Sequence, residues 1–367
     1  MNISKTKEYF LKKESDSGLL LHAITDSLSR RLLTNHDKII VHVEGCRVPD
    51  QVLRLAKLYD FIEIETSKAI GVEKKVITQN AIRPSEFNED QIEPVTDSKF
   101  KVILSMTSWK GRLWRSAVPT LKTLLSQKMT VPYKVVLVLS SDEINPISVP
   151  DDIKEMQKLE NFELLWVKQD IRSHKKLMPV LRRYPNLPII ISDDDCTRNP
   201  DWAQSLYEAY LKEPDMIHTW ACGSLMNMNN GTLEFDFNKP IDHPSILNRA
   251  ANGNVGTLYP PHIFDSIPEF FDPSLYMQLS PTSDETWQWC FQAMLGIKTN
   301  WLRKDSLAVR KLNRIKEVQD VALFNTNKDE YKHVYTNMLV RYPKLKELLK
   351  SALAKECKPL PKIVVKV

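Results

Sequence analysis

Residues 187–195 read LPIIISDDD, an apolar run that ends in one serine and three consecutive aspartates. The apolar residues are contiguous rather than alternating, which is typical of a strand buried on both faces. Such strands belong to parallel sheets covered by helices on both sides. These sheets bind ligands at the carboxyl ends of their strands, and Asp193, Asp194 and Asp195 follow such an end.

Strand and helix patterns alternate upstream of this segment, from Lys101 onward. They predict strands at 101–106, 133–140 and 162–167 and helices at 116–127, 151–159 and 175–183. Downstream they predict helices at 202–211, 284–295 and 331–355, the last broken at Pro343, and a long loop at 227–244. The predicted fold class is therefore α/β, with a Rossmann-like, mostly parallel sheet flanked by helices.

The N-terminal part carries a weaker version of the same pattern. Strands are predicted at 38–44 and 61–65, with a helix at 50–59 between them. Val48-Pro49-Asp50 recurs as Val149-Pro150-Asp151, which a degenerate internal duplication and convergent helix capping explain equally well. The polar stretch 83–90 is predicted to be a linker. The predicted domains are an N-terminal α/β extension (1–98), a main α/β domain (99–325) and a basic helical segment (326–367).

Composition restricts the class of protein. Hydrophobic residues at 42% and charged residues at 26% describe a globular chain. No apolar run approaches the ~20 residues that span a bilayer, so the expected location is cytoplasmic, with a peripheral position at the inner membrane as the alternative. The net charge of +5 suits an anionic small molecule or an anionic membrane surface. The chain has no basic stripe interleaved with aromatic residues, so nucleic acid is not an expected partner.

The acidic triplet predicts a metal site. Three adjacent carboxylates repel one another and raise each other's pKa unless a cation is near. Alternation along a strand would turn Asp193 and Asp195 to the same side. Carboxylates, water and substrate phosphates are the ligands that Mg²⁺ and Mn²⁺ prefer. The alternative is a solvated acidic turn that caps the following helix.

Other candidate groups fit the transfer of a group from a diphosphate. Lys175 and Lys176 precede the triplet strand, and Arg112 follows the first strand at the same sheet edge, where basic side chains can assist a departing phosphate. Asp284 and Glu285 begin a later helix as candidates for a general base, with plain N-capping by Ser283 or Asp284 as the alternative. His262 is a candidate for completing the metal shell, with a structural loop histidine as the alternative.

Four segments together resemble bacterial glycosyltransferases of the GT-A type, similar to family 2, that assemble capsule or lipopolysaccharide. They are SMTSWKGRL from Ser105, SHKKLMPVLRRYP from Ser173, IIISDDDCTRNPDW from Ile189, and GNVGTLYPPHIF from Gly253 with SDETWQW from Ser283. The resemblance covers about 101–343. It implies a metal-dependent hexosyltransferase that uses Mn²⁺ or Mg²⁺ and a nucleotide-sugar, with a UDP-sugar as the leading donor. The implied acceptor is a glycan or a lipid-linked acceptor.

The resemblance also implies roles for individual residues. Asp195 would be the main metal ligand, Asp193 would contact the ribose or the metal, and Asp194 would belong to the cofactor site. Thr107 and Arg112 would line the nucleotide pocket, with Lys175 or Lys176 facing the base or diphosphate. Asp284 or Glu285 would be the general base of inverting members. The match departs from the family at 282–285, where a second Asp is expected, so the choice of base and the stereochemistry stay open.

Two other classes of function compete with this hypothesis. Asp193 to Thr197 also fits DxDxT, and so resembles haloacid-dehalogenase-like phosphatases in which Asp193 would be the nucleophile of an Mg²⁺-dependent reaction. Those enzymes carry the motif on the first strand of the domain, whereas three strand-helix units precede it here. The other alternative is a non-catalytic protein that binds sugar nucleotides.

Overall fold

The computed structural model describes residues 6–11, 38–43, 62–66, 92–227, 233–236, 241–250, 255–302, 313–321 and 330–356. The chain divides into two compact units. One comprises Met1–Glu86 and Asp142–Asp151, and the other comprises Phe87–Ser141 and Asp152–Val367. None of the helices in the described ranges has the length and apolar character that crossing a membrane requires.

The first unit contains a three-stranded parallel sheet. Its strands are β1 (Thr6–Leu11), β2 (Lys38–Val43) and β3 (Ile62–Thr66), in the order β1-β2-β3. The two strands predicted in this part of the chain are confirmed, whereas β1 was not predicted. The predicted helix at 50–59 and the predicted linker at 83–90 lie outside the described residues.

The second unit is built on a seven-stranded sheet in the order β14-β9-β13-β7-β4-β5-β6. Only β13 runs antiparallel to its neighbours in this sheet. The α/β class with a mostly parallel sheet is therefore confirmed. The strands are β4 (Val102–Thr107), β5 (Tyr133–Ser140), β6 (Phe162–Val167), β7 (Ile189–Ser192), β9 (Ile217–Thr219), β13 (Thr257–Tyr259) and β14 (Thr299–Trp301).

Eight α-helices lie in the described part of the chain. They are α1 (Val118–Leu125), α2 (Asp151–Met156), α3 (Met178–Arg183), α4 (Trp202–Lys212), α5 (Pro273–Leu279), α6 (Asp284–Met294), α7 (Glu330–Arg341) and α8 (Pro343–Glu356). A π-helical turn (Leu113–Ala117) precedes α1, and a 3-10 turn (Arg172–Lys176) precedes α3. The predicted break at Pro343 separates α7 from α8.

The prediction of one long loop at 227–244 is wrong in part. Residues Leu233–Asp236 form β11, which pairs antiparallel with β10 (Cys222–Asn227), and β10 pairs in turn with β12 (Asn248–Ala250). The four residues LEFD alternate between apolar and polar, as a strand does. Because Asn, Asp, Gly and Pro are abundant around them, this short alternation is difficult to recognise in the sequence.

Helix α6 lies inside the core and therefore holds its first residues in a fixed place. The Trp287 and Phe291 rings pack at 4.5 Å, and Phe291 contacts Phe270, which stacks on Phe264 at 3.8 Å. Trp287 and Phe291 are completely buried. Truncating either side chain to Ala would cost about 3–5 kcal/mol. The packing of α6 in the core thus holds the carboxylates at the start of this helix in place.

The basic C-terminal segment packs on this core. Leu345, Leu349 and Leu353 of α8 are buried in it, while Lys346 and Lys350 on the same helix are exposed. The apolar face of α8 is therefore covered by the protein itself.

Candidate active site

The residues that follow β4 and β7 meet at one edge of the sheet. These strands are parallel neighbours, with Ser105 opposite Ile191 and Met106 opposite Ser192. Because both strands end at the same edge, the segment after β4 reaches the acidic triplet after β7. Direct contacts between Ser108 and Asp194 confirm that the two segments meet.

The triplet forms a turn and is not part of a strand. Strand β7 ends at Ser192, and the short strand β8 (Cys196–Thr197) begins after Asp195. The alternation that was expected to align Asp193 with Asp195 therefore does not apply. Each carboxylate instead has its own set of partners.

Asp194 is buried, and both of its carboxylate oxygens accept hydrogen bonds. Its carboxylate accepts hydrogen bonds from Ser108 Oγ at 2.6 Å and from Arg112 Nη1 at 2.9 Å, and its main-chain oxygen accepts one from Thr120 Oγ1 at 3.1 Å. Burial raises the pKa of Asp194, and the charge of Arg112 opposes that rise. Asp194 thus fastens the turn to the segment after β4.

Asp195 is held from several directions. Its Oδ2 atom lies 3.3 Å from Arg112 Nη2 and accepts a hydrogen bond from Gln319 Nε2 at 3.0 Å. Cys196 Sγ donates to Oδ1 at 3.3 Å, and the Ile315 amide donates to the main-chain oxygen of Asp195 at 2.8 Å. Burial acts to raise the pKa of Asp195, but the charge of Arg112 and these hydrogen bonds outweigh it and lower the pKa below its ordinary value.

Lys176 joins the acidic turn to the start of α6. Its ammonium lies 3.0 Å from Asp193 Oδ1 and 3.2 Å from Asp284 Oδ2. The side chains of Lys176 and Asp284 are 4% and 2% exposed, whereas that of Asp193 is 30% exposed. Burial disfavours the charge on Lys176, but these two carboxylates and Glu285 raise its pKa well above the ordinary value. The acidic triplet and the carboxylates at the start of α6, which were predicted as separate sites, therefore lie in one cluster.

The two carboxylates at the start of α6 have different surroundings. Ser283 caps the helix by accepting the Thr286 amide, which agrees with the capping alternative for that residue. Burial acts to raise the pKa of Asp284, but Lys176 outweighs it, so Asp284 has a lowered pKa. Burial, and then repulsion by Asp284, raise the pKa of Glu285 to about 7. Asp284 is buried, while Glu285 is partly exposed.

The raised pKa of Glu285 predicts that stability falls with pH. The folded protein holds a proton on Glu285 up to about pH 7, whereas an unperturbed Glu loses it near 4.5. The free energy of unfolding should therefore decrease as pH rises from about 4.5 to about 7, by at most about 3 kcal/mol. Urea unfolding of wild type and Glu285→Gln at pH 4.5 and 8 measures this, and the variant should lose less. An equal loss in both proteins would contradict the assignment.

Arg198 is a member of the site that the sequence analysis missed. Its guanidinium donates to Ser192 Oγ from Nε at 3.1 Å and from Nη2 at 2.9 Å, and it stacks over the Trp202 ring at 4.8 Å. Its position, separated from the triplet only by Cys196 and Thr197, is a hint that was available in the sequence. The acidic turn is thus surrounded by the positive charges of Arg112, Lys176 and Arg198. The protein itself therefore supplies part of the positive charge that three adjacent carboxylates require.

Two other predicted residues have their polar side-chain atoms in contacts within the protein. Lys175 is buried, and its ammonium pairs with Asp170 Oδ1 at 2.5 Å. Thr107 donates its hydroxyl to the Val138 carbonyl at 2.8 Å and joins β4 to β5. Both lie near the site, but their polar atoms are occupied by these contacts.

His262 is not brought to the triplet. Strand β13 is antiparallel to β7 and places Tyr259 opposite Ile189, so the residues after Tyr259 continue past the beginning of β7. His262 accordingly pairs with Asp265 and Asn186, which precedes β7. The acidic turn lies at the other end of that strand. The expectation that His262 completes the metal shell is therefore wrong on position.

The acidic turn offers two carboxylates that fit a divalent cation. Asp194 is committed to Ser108 and Arg112, whereas Asp193 is 30% exposed and Asp195 is 12% exposed. Mg²⁺ is usually held by one or two carboxylates with water and substrate phosphates completing the shell. Among the described residues, no group of three or more His, Cys, Asp or Glu side chains forms a metal site. The donor set fits a cation shared with a substrate phosphate.

The fold and site define an α/β protein with a charged cluster at the carboxyl ends of its central strands. Comparison with protein-family models and with curated proteins finds no match. Among solved structures the chain is similar to that of GalNAc-T7 with UDP, GalNAc and Mn²⁺, at 9% identity and a TM-score of 0.36 over 56% of this chain. That similarity spans 43% of the GalNAc-T7 chain, which is less than half its length.

Two further solved structures are similar over more of their length. The mannosyltransferase PcManGT from Pyrobaculum calidifontis, in complex with GDP-Man and Mn²⁺, matches at 11% identity, with a TM-score of 0.33 over 94% of this chain and 88% of its own. TarS of S. aureus (residues 1–349) matches at 10% identity, with a TM-score of 0.35 over 71% and 76%. All three TM-scores lie below 0.5.

Proposed function

We propose that this chain is a metal-dependent glycosyltransferase of the GT-A type. It would move a hexose from a nucleotide-sugar to a saccharide or lipid-linked acceptor in surface polysaccharide synthesis. The observation that carries the proposal is the position of Lys176, whose ammonium lies between Asp193 of the acidic turn and Asp284 of α6. A diphosphate-binding edge and a candidate proton acceptor are thereby combined in one site.

The acidic turn and its cations suit a departing nucleoside diphosphate. Asp193 and Asp195 would hold Mn²⁺ or Mg²⁺, which neutralises negative charge on the diphosphate when it is bound. Lys176 and Arg112 are held in place by carboxylates, so their charges are oriented before a substrate arrives. Such preorganised charge stabilises a transition state without further rearrangement.

Glu285 is the better candidate for the general base. The acceptor hydroxyl must lose its proton as its oxygen attacks the anomeric carbon and the diphosphate leaves. A base works best when its pKa lies near the operating pH, which fits Glu285 with its pKa of about 7. Asp284 is buried and committed to Lys176, so it serves to hold that ammonium. In an inverting reaction Glu285 would take the proton.

A ligand-binding screen tests the proposal. Thermal unfolding would be followed with UDP-, GDP-, CMP- and dTDP-sugars, each with and without Mn²⁺. Binding at 100 times the dissociation constant stabilises the folded state by about 2.7 kcal/mol. We expect one nucleotide class to raise the melting temperature further when Mn²⁺ is present. We also expect Asp193→Asn and Asp195→Asn to remove the part of this rise in melting temperature that depends on Mn²⁺.

Asp215→Asn is the matched control, because Asp215 is exposed in the turn between α4 and β9. Strand β9 runs in the same direction as β7, so Asp215 lies at the opposite edge of the sheet from the acidic turn. It should behave as wild type. The absence of a metal-dependent shift with every nucleotide would contradict the proposal. Release of phosphate from simple phosphomonoesters, without nucleotide-sugar binding, would favour the phosphatase hypothesis instead. A lipid-linked acceptor would place the protein at the inner face of the cytoplasmic membrane, which assays with lipid-linked and soluble acceptors would distinguish.

A further inference from the structure

A segment remote in sequence covers the acidic turn. We call Asn313–Val321 the strap; it comprises strand β15 (Asn313–Arg314) and a 3-10 helix (Lys316–Val321). Strand β15 pairs antiparallel with β8, so that Arg314 lies opposite Cys196. Val318 is completely buried, and Arg115 donates a hydrogen bond to the Glu317 carbonyl. The strap is thus anchored independently of any single side-chain contact with the triplet.

The strap contacts Asp195 through both its main chain and one side chain. The Ile315 amide donates to the Asp195 carbonyl at 2.8 Å, and Gln319 Nε2 donates to Asp195 Oδ2 at 3.0 Å. Gln319 Nε2 also lies 3.1 Å from the Ile315 carbonyl, so the same nitrogen is fixed to the strap. Gln319 is therefore held in position by its own segment before it contacts Asp195.

Asp195 needs such a contact because a turn leaves its side chain less constrained than a strand would. Cys196 Sγ binds Oδ1, while Gln319 and Arg112 bind Oδ2. A carboxylate oxygen has room for more than one partner, so these bonds orient Asp195 and leave it able to bind a cation. Residues that bond metal-ligating carboxylates in this way typically account for a 10–100-fold difference in metal affinity.

We propose that Gln319 is a positioning residue that orients Asp195 for a divalent cation. This inference rests on the proposed function, because it takes Asp195 to be a metal ligand. Gln319 does not itself contact substrate or cation in this scheme. It supplies a neutral donor, which fixes the carboxylate without adding a positive charge that would compete with the cation.

The test is the Mn²⁺ affinity of Gln319→Met, in which a side chain of similar length lacks the amide. Titration of the full-length protein with Mn²⁺, followed by electron paramagnetic resonance of free Mn²⁺, gives the dissociation constant. We expect it to be about 10–100-fold weaker than in wild type. The melting temperature without metal should change little, because the anchors of the strap remain. Transfer activity should return towards wild type at saturating Mn²⁺, so that the apparent KM for metal changes more than kcat.

Glu317→Gln is the matched control, because Glu317 lies in the strap with an exposed side chain. This variant should bind Mn²⁺ as wild type does.

Amide hydrogen exchange at Ile315 reports whether the strap stays on the acidic turn in Gln319→Met. If that amide is protected and Mn²⁺ binds the variant as tightly as wild type or more tightly, the inference is overturned while the proposed function stands. If the amide loses protection, Gln319 is a structural latch and the inference is also overturned. If wild type binds no Mn²⁺ at all, the proposed function fails and the inference falls with it.

Discussion

Lys176→Met is expected to lower the free energy of unfolding by about 3–5 kcal/mol, because it leaves Asp284 without its counter-ion. Asp284 is 2% exposed at its side chain, so water cannot replace the ammonium that lies 3.2 Å from it. Asp193 loses the same partner but is 30% exposed and remains hydrated. The cost should therefore arise at Asp284. Urea unfolding at pH 7 measures it.

The double variant Lys176→Met/Asp284→Asn should recover most of this loss. Removing both charges leaves no isolated buried ion, and replacing a whole buried pair is often nearly neutral. The single variant should also become less stable as pH rises, because an uncompensated Asp284 has a raised pKa and must ionise in a buried place. In wild type the pKa of Asp284 is lowered, so its contribution has the opposite sign and is lost only at acidic pH.

Lys175→Met provides the matched comparison. Lys175 is as buried as Lys176, but the carboxylate of its partner Asp170 is 30% exposed. Water can therefore solvate Asp170 after the substitution, and the loss should be smaller. If Lys176→Met costs no more than Lys175→Met, the ammonium of Lys176 does not hold Asp284 in the way proposed here.

The strands could be predicted more accurately than the starts of the helices. Strands β5 and β6 begin and end at the predicted residues, because each is an apolar run bounded by polar or turn-forming residues. The helices predicted to start at 116 and 175 begin later, after a π-helical and a 3-10 turn. Pro119 and Pro179 explain the delay, since proline is tolerated only in the first turn of an α-helix.

The charged residues of the candidate site can be recognised in the sequence, but the contacts that join them cannot. The acidic triplet, Lys176 and the carboxylates of α6 each stand out locally, as charged residues beside apolar segments. The bridge from Asp193 through Lys176 to Asp284 depends on how three distant segments pack. Gln319 has no distinctive pattern in the sequence, because its role comes only from the pairing of β15 with β8.

The expectations that failed did so for reasons of strand geometry. The alternation of Asp193 and Asp195 assumed that β7 continues through the triplet, whereas it ends at Ser192. His262 follows β13, which the sequence analysis did not predict. Because β13 runs antiparallel to β7, His262 lies at the opposite end of β7 from the acidic turn. A short strand such as TLY carries no information about its direction.

Glu285→Gln is expected to lower the transfer rate by about 10²–10⁴-fold while leaving donor binding intact, because it removes the proton acceptor and keeps the shape of the side chain. In wild type, kcat/KM for the acceptor should rise with pH to a plateau above about 7, since Glu285 must be ionised to accept a proton. Thermal-shift titration with the donor and Mn²⁺ confirms that the variant still binds. The residual activity of Glu285→Gln should no longer follow this rise.

Asp284→Asn separates the roles of the two carboxylates. Repulsion by Asp284 contributes to the high pKa of Glu285, whereas Lys176 and Arg249 oppose it. Removing the charge of Asp284 also frees Lys176 to interact more strongly with Glu285, so both effects lower the pKa of that carboxyl. The rise in kcat/KM should therefore move to lower pH in Asp284→Asn, with a smaller loss of rate than in Glu285→Gln. If Asp284→Asn instead abolishes the pH-dependent rise and Glu285→Gln preserves it, Asp284 is the base and the roles assigned here are reversed.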